Sequence, residues 1–570
     1  MIDALVDGTT PEDAATLSLL APQPRPQPWW RDAVIYQVYI RSFLDSTGDG
    51  IGDLAGVRAG LPYLKRLGVD GIWLSPFYPS PQADHGYDVA DYCGVDPVYG
   101  DLEEFDRLVC ATHQMGLKLL VDIVPNHCSS AHPWFRQALA EGRGSTARQR
   151  FHFADGRGPH GQLPPNNWHS MFGGPAWSRI TEPDGTPGQW YLHLFSPEQP
   201  DLNWRNPEVA GFFEKVLRFW LDRGVDGFRI DVAAGLYKDA ELPDSDDPTA
   251  DARARDSVNP LAWNQPEVHD VWRSWRAICN DYAAHDGRER LLVGEVSVPT
   301  AAAQAAYVRR DELHQAFFFH MLTAPWDGPT FKTVIDEALN DIAQTGSTIT
   351  WVLNNHDQIR SVTRFASPAR ARAAALLMLA LPGAAYLYQG EELGLAEVDL
   401  PDEVITDPIF HRSGSRIGIR DGCRVPLPWS GHASPFGFTS GVATAAPWLP
   451  QPEWFAAHTT ERALADTSSF WHLYREALTL RSSLPQLGDG SLRWLTTEPQ
   501  VLAFTRGDGL VCAINFGDTS CPAPVTSQPL LASSPCPPGA LPGNTAAWWI
   551  TTPGDLTSAQ PTTRQQDVTQ

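Results

Sequence analysis

Four short apolar runs in this chain stop at polar side chains. Residues 227–231 (GFRID), 291–295 (LLVGE) and 350–357 (TWVLNNHD) each end in a carboxylate, and residues 117–127 (LKLLVDIVPNH) end in Asn–His. Runs of this length, each followed by helix-like sequence, read as buried parallel strands, and polar groups at the C-terminal ends of such strands are where an α/β barrel keeps its active site. Strand-like runs recur at 33–43, 69–77, 117–127, 225–233, 290–296, 315–322, 348–357 and 384–392. Eight of them predict a closed (β/α)8 TIM barrel rather than an open sheet. Three acids gathered at the mouth of such a barrel suit chemistry on sugars.

At 570 residues the chain is too long for one core, so further units are expected. The catalytic barrel is assigned to 29–127 and 202–484. Residues 128–201, rich in Gly, Pro, Trp, His and Asn, are too long for an ordinary βα loop and predict an inserted domain over the catalytic face. The Pro- and Gly-rich stretch 395–460 reads as an irregular excursion at the same face. Short alternating runs separated by turn residues predict a C-terminal antiparallel β-sandwich over 485–557. The ends, 1–28 and 558–570, read as a flexible arm and a disordered tail.

Composition narrows the partners. Lys+Arg number 43 against 67 Asp+Glu, a formal net charge of -24 that repels nucleic acid and anionic membranes. No stretch approaches the roughly 18 apolar residues of a membrane span, and the opening residues lack the basic n-region of a secretory signal. The expectation is a cytoplasmic protein with small-molecule substrates and no nucleic-acid or membrane partner; monomer or homo-oligomer is left open. Eight scattered cysteines without CxxC spacing read as reduced thiols rather than a disulfide framework or zinc site.

Taken singly, each polar strand end has an ordinary structural reading: Arg-x-Asp as an ion pair, Glu as a helix cap, Asn-Asn-His-Asp as a turn. The ordered set is different. WWRDAVIYQVYIRSF, DSTGDGIGDL, GIWLSPFYPSP, HGYDVADY, DIVPNH, GFRIDVA, the GE of LLVGEV and NNHD together resemble the α-amylase superfamily (glycoside hydrolase family 13), within it the bacterial α-glucosidases and oligo-1,6-glucosidases, over about 29–484.

That resemblance implies Asp231 as nucleophile, Glu295 as general acid/base and Asp357 as transition-state stabiliser. The residue chemistry agrees. Retaining hydrolysis needs one ionised carboxylate at the anomeric carbon and one protonated acid for the leaving group. Arg229, two residues before Asp231, shares its side of the strand and favours the ionised nucleophile. Glu295 follows an apolar strand with no basic residue adjacent in sequence, a setting that raises a carboxyl pKa.

The same resemblance places Tyr87, Asp88, His127 and His356 around the innermost sugar. Arg420 is matched to the arginine that pairs with Asp88 and closes the pocket end, with Arg424 the competing candidate. Separately, Asp45, Thr47, Asp49, Ile51 (through its carbonyl) and Asp53 alternate along a Gly-containing loop, a donor set suited to a structural Ca2+ or Mg2+; relatives carry Asn at Thr47. No organic cofactor is expected. Val232 beside the nucleophile occupies a position associated with linkage choice. The reading is an exo-acting α-glucosidase on short α-glucosides, maltose-type α-1,4 favoured over α-1,6 and sucrose. The alternatives are an α-glucosyltransferase or trehalose-synthase-type isomerase on the same scaffold, and remotely a non-catalytic transporter partner.

Overall fold

The computed structural model describes residues 28–247, 259–488 and 490–551. The proposed arm and tail therefore lie essentially outside the described residues. Eight parallel strands form one sheet: β1 (Val34–Val38), β2 (Gly71–Leu74), β3 (Lys118–Ile123), β7 (Gly227–Ile230), β8 (Leu291–Gly294), β9 (Gln315–Ala316), β10 (Thr350–Val352) and β11 (Ala384–Tyr388). β1 pairs with both β2 and β11, and the sheet runs in the order β10-β11-β1-β2-β3-β7-β8-β9. Its two ends meet at a single bridge, Phe317 to Thr350, where the Phe318 N–H donates to the Thr350 carbonyl at 2.9 Å. This is the TIM barrel expected from the eight runs.

Period-two alternation explains the interior. Ile35, Trp73, Leu120, Val293, Phe317, Val352 and Tyr386 fill the barrel with Trp30 below them. Two residues further along their strands, Leu120 is followed by Asp122 and Val293 by Glu295, while Arg229 stands opposite Asp122 in the β3–β7 register. The same face that packs the core thus continues upward into charged side chains at the strand ends.

Local chemistry sets the helices between strands. Asp53 caps the helix Leu54–Leu67 by accepting from the Gly56 N–H, and Gly68 ends it at φ 101°. Asp101 caps Leu102–Gln114, and Asn206 with Pro207 starts Pro207–Asp222. Such caps stabilise a helix by about 1 kcal/mol each.

The sixth strand departs from expectation. Only Gln315–Ala316 pair as strand, with Phe317 bridging to Thr350, and Phe319–Leu322 coil into a helical turn, so the apolar run 315–322 holds a short strand followed by a buried helical turn. The insertion after β3 is a compact unit with the helix Pro133–Glu141 and an antiparallel sheet of β4 (Phe153–Ala154), β5 (Trp177–Thr181) and β6 (Pro187–Leu192). In the C-terminal domain, β12 (Leu492–Trp494), β13 (Val501–Arg506), β14 (Leu510–Asn515), β16 (Leu531–Ala532) and β18 (Thr545–Ile550) form one sheet. β15 (Cys521–Pro522) and β17 (Ala540–Leu541) form a second. No described helix is long and apolar enough to cross a membrane.

Candidate active site

Arg229 organises the mouth of the barrel. Its Nη1 lies 2.7 Å from Asp231 Oδ1 and 2.9 Å from Asp122 Oδ1, and its Nη2 lies 2.8 Å from Glu295 Oε2. One guanidinium therefore faces three carboxylates, and if all three were ionised the cluster would carry two net negative charges. Burial, and then the charges of Glu295 and Asp122, push the Asp231 carboxyl well above the usual range against the pull of Arg229. Burial likewise lifts Asp122 to about 7 despite Arg229. Three carboxylates sharing one cation favour keeping a proton within the cluster, the setting an acid/nucleophile pair uses.

This corrects the division of labour read from the sequence. Glu295 has a basic neighbour after all, and Arg229 serves both carboxylates rather than Asp231 alone. Sequence distance concealed the contact, which depends on β7 and β8 pairing with Arg229 beside Val293. Immediately after Asp231, Val232 adopts φ 49°, a strained conformation for a β-branched residue, and its N–H points to Glu295 Oε2 at 3.2 Å.

Asp357 sits across the pocket. Arg424 Nη2 approaches its carboxylate at 2.7 Å, His356 Nε2 at 3.4 Å and Arg420 Nη1 at 3.5 Å. Burial alone would raise this carboxyl, but His356, Arg420, Arg424 and Arg229 together hold it well below the usual range. Because burial keeps His356 itself neutral, the two nearest arginines carry that effect.

His356 links Asp357 to the rest of the site. Its Nδ1 is 2.7 Å from Gln37 Nε2 and its Nε2 is 2.7 Å from the Tyr87 hydroxyl, which donates to Asp122 at 3.1 Å. The Tyr87 and His356 rings stack 5.3 Å apart at 6°. His127, held by Asn126, Gln199 and the Tyr87 carbonyl, is lowered by burial to about 4 and so is neutral.

The pocket aspartate is Asp84, not Asp88. Asp88 is fully buried and accepts from Ser80 Oγ and from the N–H groups of Ala83 and Asp84, which shapes the loop rather than the cavity. Burial raises it to about 6. Asp84 instead lines the pocket and meets Arg420 Nη2 at 2.6 Å, and Arg420 Nε is fixed by Asp407 at 2.9 Å. The rival arginines have separate places: Arg420 bridges Asp84 and Asp407, while Arg424 holds Asp357. The resulting cavity of about 480 Å³ is lined on its inner side by Asp84, Tyr87, His127, Asp231, Glu295, Asp357 and Arg420. Asp122, Asp84 and Asp407 went unassigned in the sequence; DIVPNH carried the only local signal, for Asp122.

The proposed cation loop is satisfied by its own backbone. Asp45 accepts from the N–H groups of Thr47, Gly48 and Gly50 and from the Thr439 hydroxyl, which fills its lone pairs. Asp53 takes Ser46 and the helix cap, and Asp49 takes the Ile51 N–H. The loop amides take up the Asp45 lone pairs, and among the described residues no group of three or more His, Cys, Asp or Glu is gathered to hold a metal. Asp45, Thr47, Asp49, Ile51 and Asp53 do not fit Ca2+ or Mg2+ in this arrangement. The loop instead anchors the 395–460 excursion: a Cβ on Gly48 or Gly50 would strike the carbonyl of Val442 or Ala446 at 2.5 or 2.1 Å.

An eight-stranded barrel with carboxylates and arginines converging at its strand ends defines a glycoside-processing enzyme. Residues 37–490 match the α-amylase catalytic domain, and the chain belongs to this family of glycoside hydrolases. It is 38% identical over 526 residues to a probable α-glucosidase of Rhizobium meliloti (strain 1021), covering 88% of this chain and 91% of that one. It is 37% identical over 512 residues to trehalose-6-phosphate hydrolase of Escherichia coli (strain K12), covering 83% and 87%. Among solved structures it is similar to the α-glucosyl transfer enzyme XgtA, with a TM-score of 0.81 at 37% identity, covering 92% of this chain and 100% of that one.

Proposed function

We propose that the protein is a retaining, exo-acting α-glucosidase that removes single glucose units from short α-glucosides. The observation that carries this reading is the sharing of Arg229 by Asp231 and Glu295. Two carboxylates held on one guanidinium and in hydrogen-bonding reach of each other suit the close pairing of a nucleophile and acid/base better than the about 6.5–9.5 Å that leaves room for an inverting water. Glu295 protonates the glycosidic oxygen while Asp231 attacks C1; water, deprotonated by Glu295, then releases glucose with retained configuration. Asp357, held ionised, faces the positive charge that develops on the ring. The Arg420–Asp84 pair closes the inner end, which supports cleavage one unit from a non-reducing terminus.

Two features guide substrate choice. Among the described lining residues Arg420 is the single Lys or Arg, and it is committed to Asp84 and Asp407, which leaves no described cation there for a phosphorylated sugar. This supports unphosphorylated, maltose-type substrates. Likeness to a glucosyl transfer enzyme supports a second reading, in which a hydroxyl other than water takes the glucosyl group. Product analysis by NMR on maltose, isomaltose, sucrose and trehalose 6-phosphate tests both. α-Glucose as first product supports the reading, β-glucose overturns retention, and dominant transfer or isomer products at low substrate favour the second reading.

A further inference from the structure

Arg420 is held by two segments of the chain that also touch each other. In one of them, Asp407 takes the Arg420 Nε at 2.9 Å and its Nη2 at 3.1 Å, and the same Asp407 caps the short helix Pro408–Ser413 by accepting from the Ile409 N–H. In the other, the Phe172 ring lies against the guanidinium, with its centroid 4.9 Å from Cζ. Phe172 belongs to a turn of the insertion after β3, whereas Asp407 belongs to the excursion after β11. The two supports keep their relative place only if these segments are fastened together.

Arg412 fastens them. It stands on the helix that Asp407 caps and sends Nε and Nη2 to the Gly173 carbonyl at 3.1 and 2.8 Å, while Nη2 also reaches the Pro175 carbonyl at 3.4 Å. A planar guanidinium presents its N–H groups in a fixed fork, so the contact sets a direction as well as a distance. The turn is shaped to receive it. Gly173 at φ 95° and Gly174 at φ 75° lack the side chains that would hold the helix off, and a Cβ on Gly173 would come within 3.3 Å of Ser413 Cβ. Arg412 is half-buried in this contact, and the Glu198 carboxylate on the insertion adds to the attraction. The residues on either side of the fastening, Phe172 and Ile409, line the cavity.

Resting on the glucosidase reading above, we propose that Arg412 is a positioning residue for binding of the terminal sugar: by tying the insertion to the excursion it keeps Phe172 and Asp407 on Arg420, and so keeps Arg420 against Asp84. Asp357, the acid that faces the developing charge, has Arg424 as its nearer cation at 2.7 Å, against 3.5 Å for Arg420. Loosening Arg420 therefore weakens the bound substrate and the transition state alike, an effect that falls on KM rather than kcat.

The test is steady-state kinetics of the full chain on p-nitrophenyl α-glucoside, with glucose as competitive inhibitor because it occupies the place of the terminal sugar alone. Arg412→Ala is expected to raise KM and the glucose inhibition constant together by about tenfold, with kcat within about twofold of wild type and an unchanged circular dichroism spectrum. The comparison variant is Arg416→Ala, which removes an arginine bonded within its own excursion, to Asp399 at 2.6 Å and Asp402 at 2.5 Å, and should leave both constants as they are. Unchanged KM and glucose inhibition in Arg412→Ala, a loss confined to kcat, or an equal rise in Arg416→Ala overturns this proposal alone. Absence of p-nitrophenol release by the wild type overturns it together with the glucosidase reading.

Discussion

Strand β7 separates two opposite electrostatic designs by only a few residues. At its lower end Asp226, fully buried, is met by two cations, Lys118 Nζ at 3.1 Å and Arg288 Nη2 at 3.3 Å, and by His113 Nε2 at 2.7 Å. Burial would raise this carboxyl, but His113, Lys118 and the Leu119 N–H bring it below the ordinary value. At the upper end Arg229 is surrounded by anions, and Asp122 and Asp231 are raised. The lower cluster has excess positive charge and spends it on a fixed anion. The upper cluster has too little and must keep a proton, which is what acid/base chemistry uses. One strand thus supplies stability at one rim and reactivity at the other.

The largest effect that sharpens this contrast is at the nucleophile. Asp231→Asn should lower kcat on a natural disaccharide by on the order of 10⁴ or more, with circular dichroism and melting temperature near wild type. Glu295→Gln comes next, at about 10²–10⁴, and the loss should shrink with aryl glucosides whose phenols leave without protonation. Wild-type turnover in either variant would break the assignment of the upper rim.

Asp122→Asn probes the proton surplus itself. A drop of roughly tenfold to a hundredfold in kcat/KM is expected, because Arg229 and Tyr87 lose a fixed partner. Its negative charge helps raise Asp231, so removing it lowers the nucleophile's pKa. The acid limb of the kcat/KM profile should then move to lower pH; movement upward would contradict the charge balance proposed here.

Asp226→Asn tests the lower rim and should act on stability alone, by about 2 kcal/mol at pH 7 in urea unfolding, with kcat/KM unchanged. The sign follows from a depressed folded pKa: the stabilisation is present above the unfolded aspartate value of about 3.9 and is lost as pH falls through the folded value. The difference between variant and wild type should therefore fade in acid. The smallest effect concerns the Asp45 loop, where added EDTA or Ca2+ is expected to shift the melting temperature by no more than about 2 °C, since the loop's own N–H groups already occupy Asp45.

The sequence made the strand ends legible because period-two burial and a terminal carboxylate are local signals. Asp231, Glu295 and Asp357 converge as expected for that reason. What escaped depends on turns and register. Asp84 and Asp88 occupy one loop, and which of them enters the cavity is decided by His85 at φ 50° and Gly86 at φ 103°, conformations that composition does not announce. The Arg229–Glu295 contact is set by pairing between strands far apart in the chain. Along the Asp45 loop, alternate oxygens look the same in sequence whether they face a metal or their own amides.

The single bridge between Phe317 and Thr350 has a further consequence for the order in which the molecule comes apart. Every other junction in the barrel is a ladder of parallel hydrogen bonds, so amide hydrogen exchange should be fastest along β9 and at the start of β10. Asp357 lies on the segment that continues from β10, whereas Asp231 and Glu295 belong to neighbouring strands on the far side of that seam. Mild denaturant that parts the seam would detach the third acid from the other two while most of the barrel remains folded, and inactivation would precede the loss of helical signal.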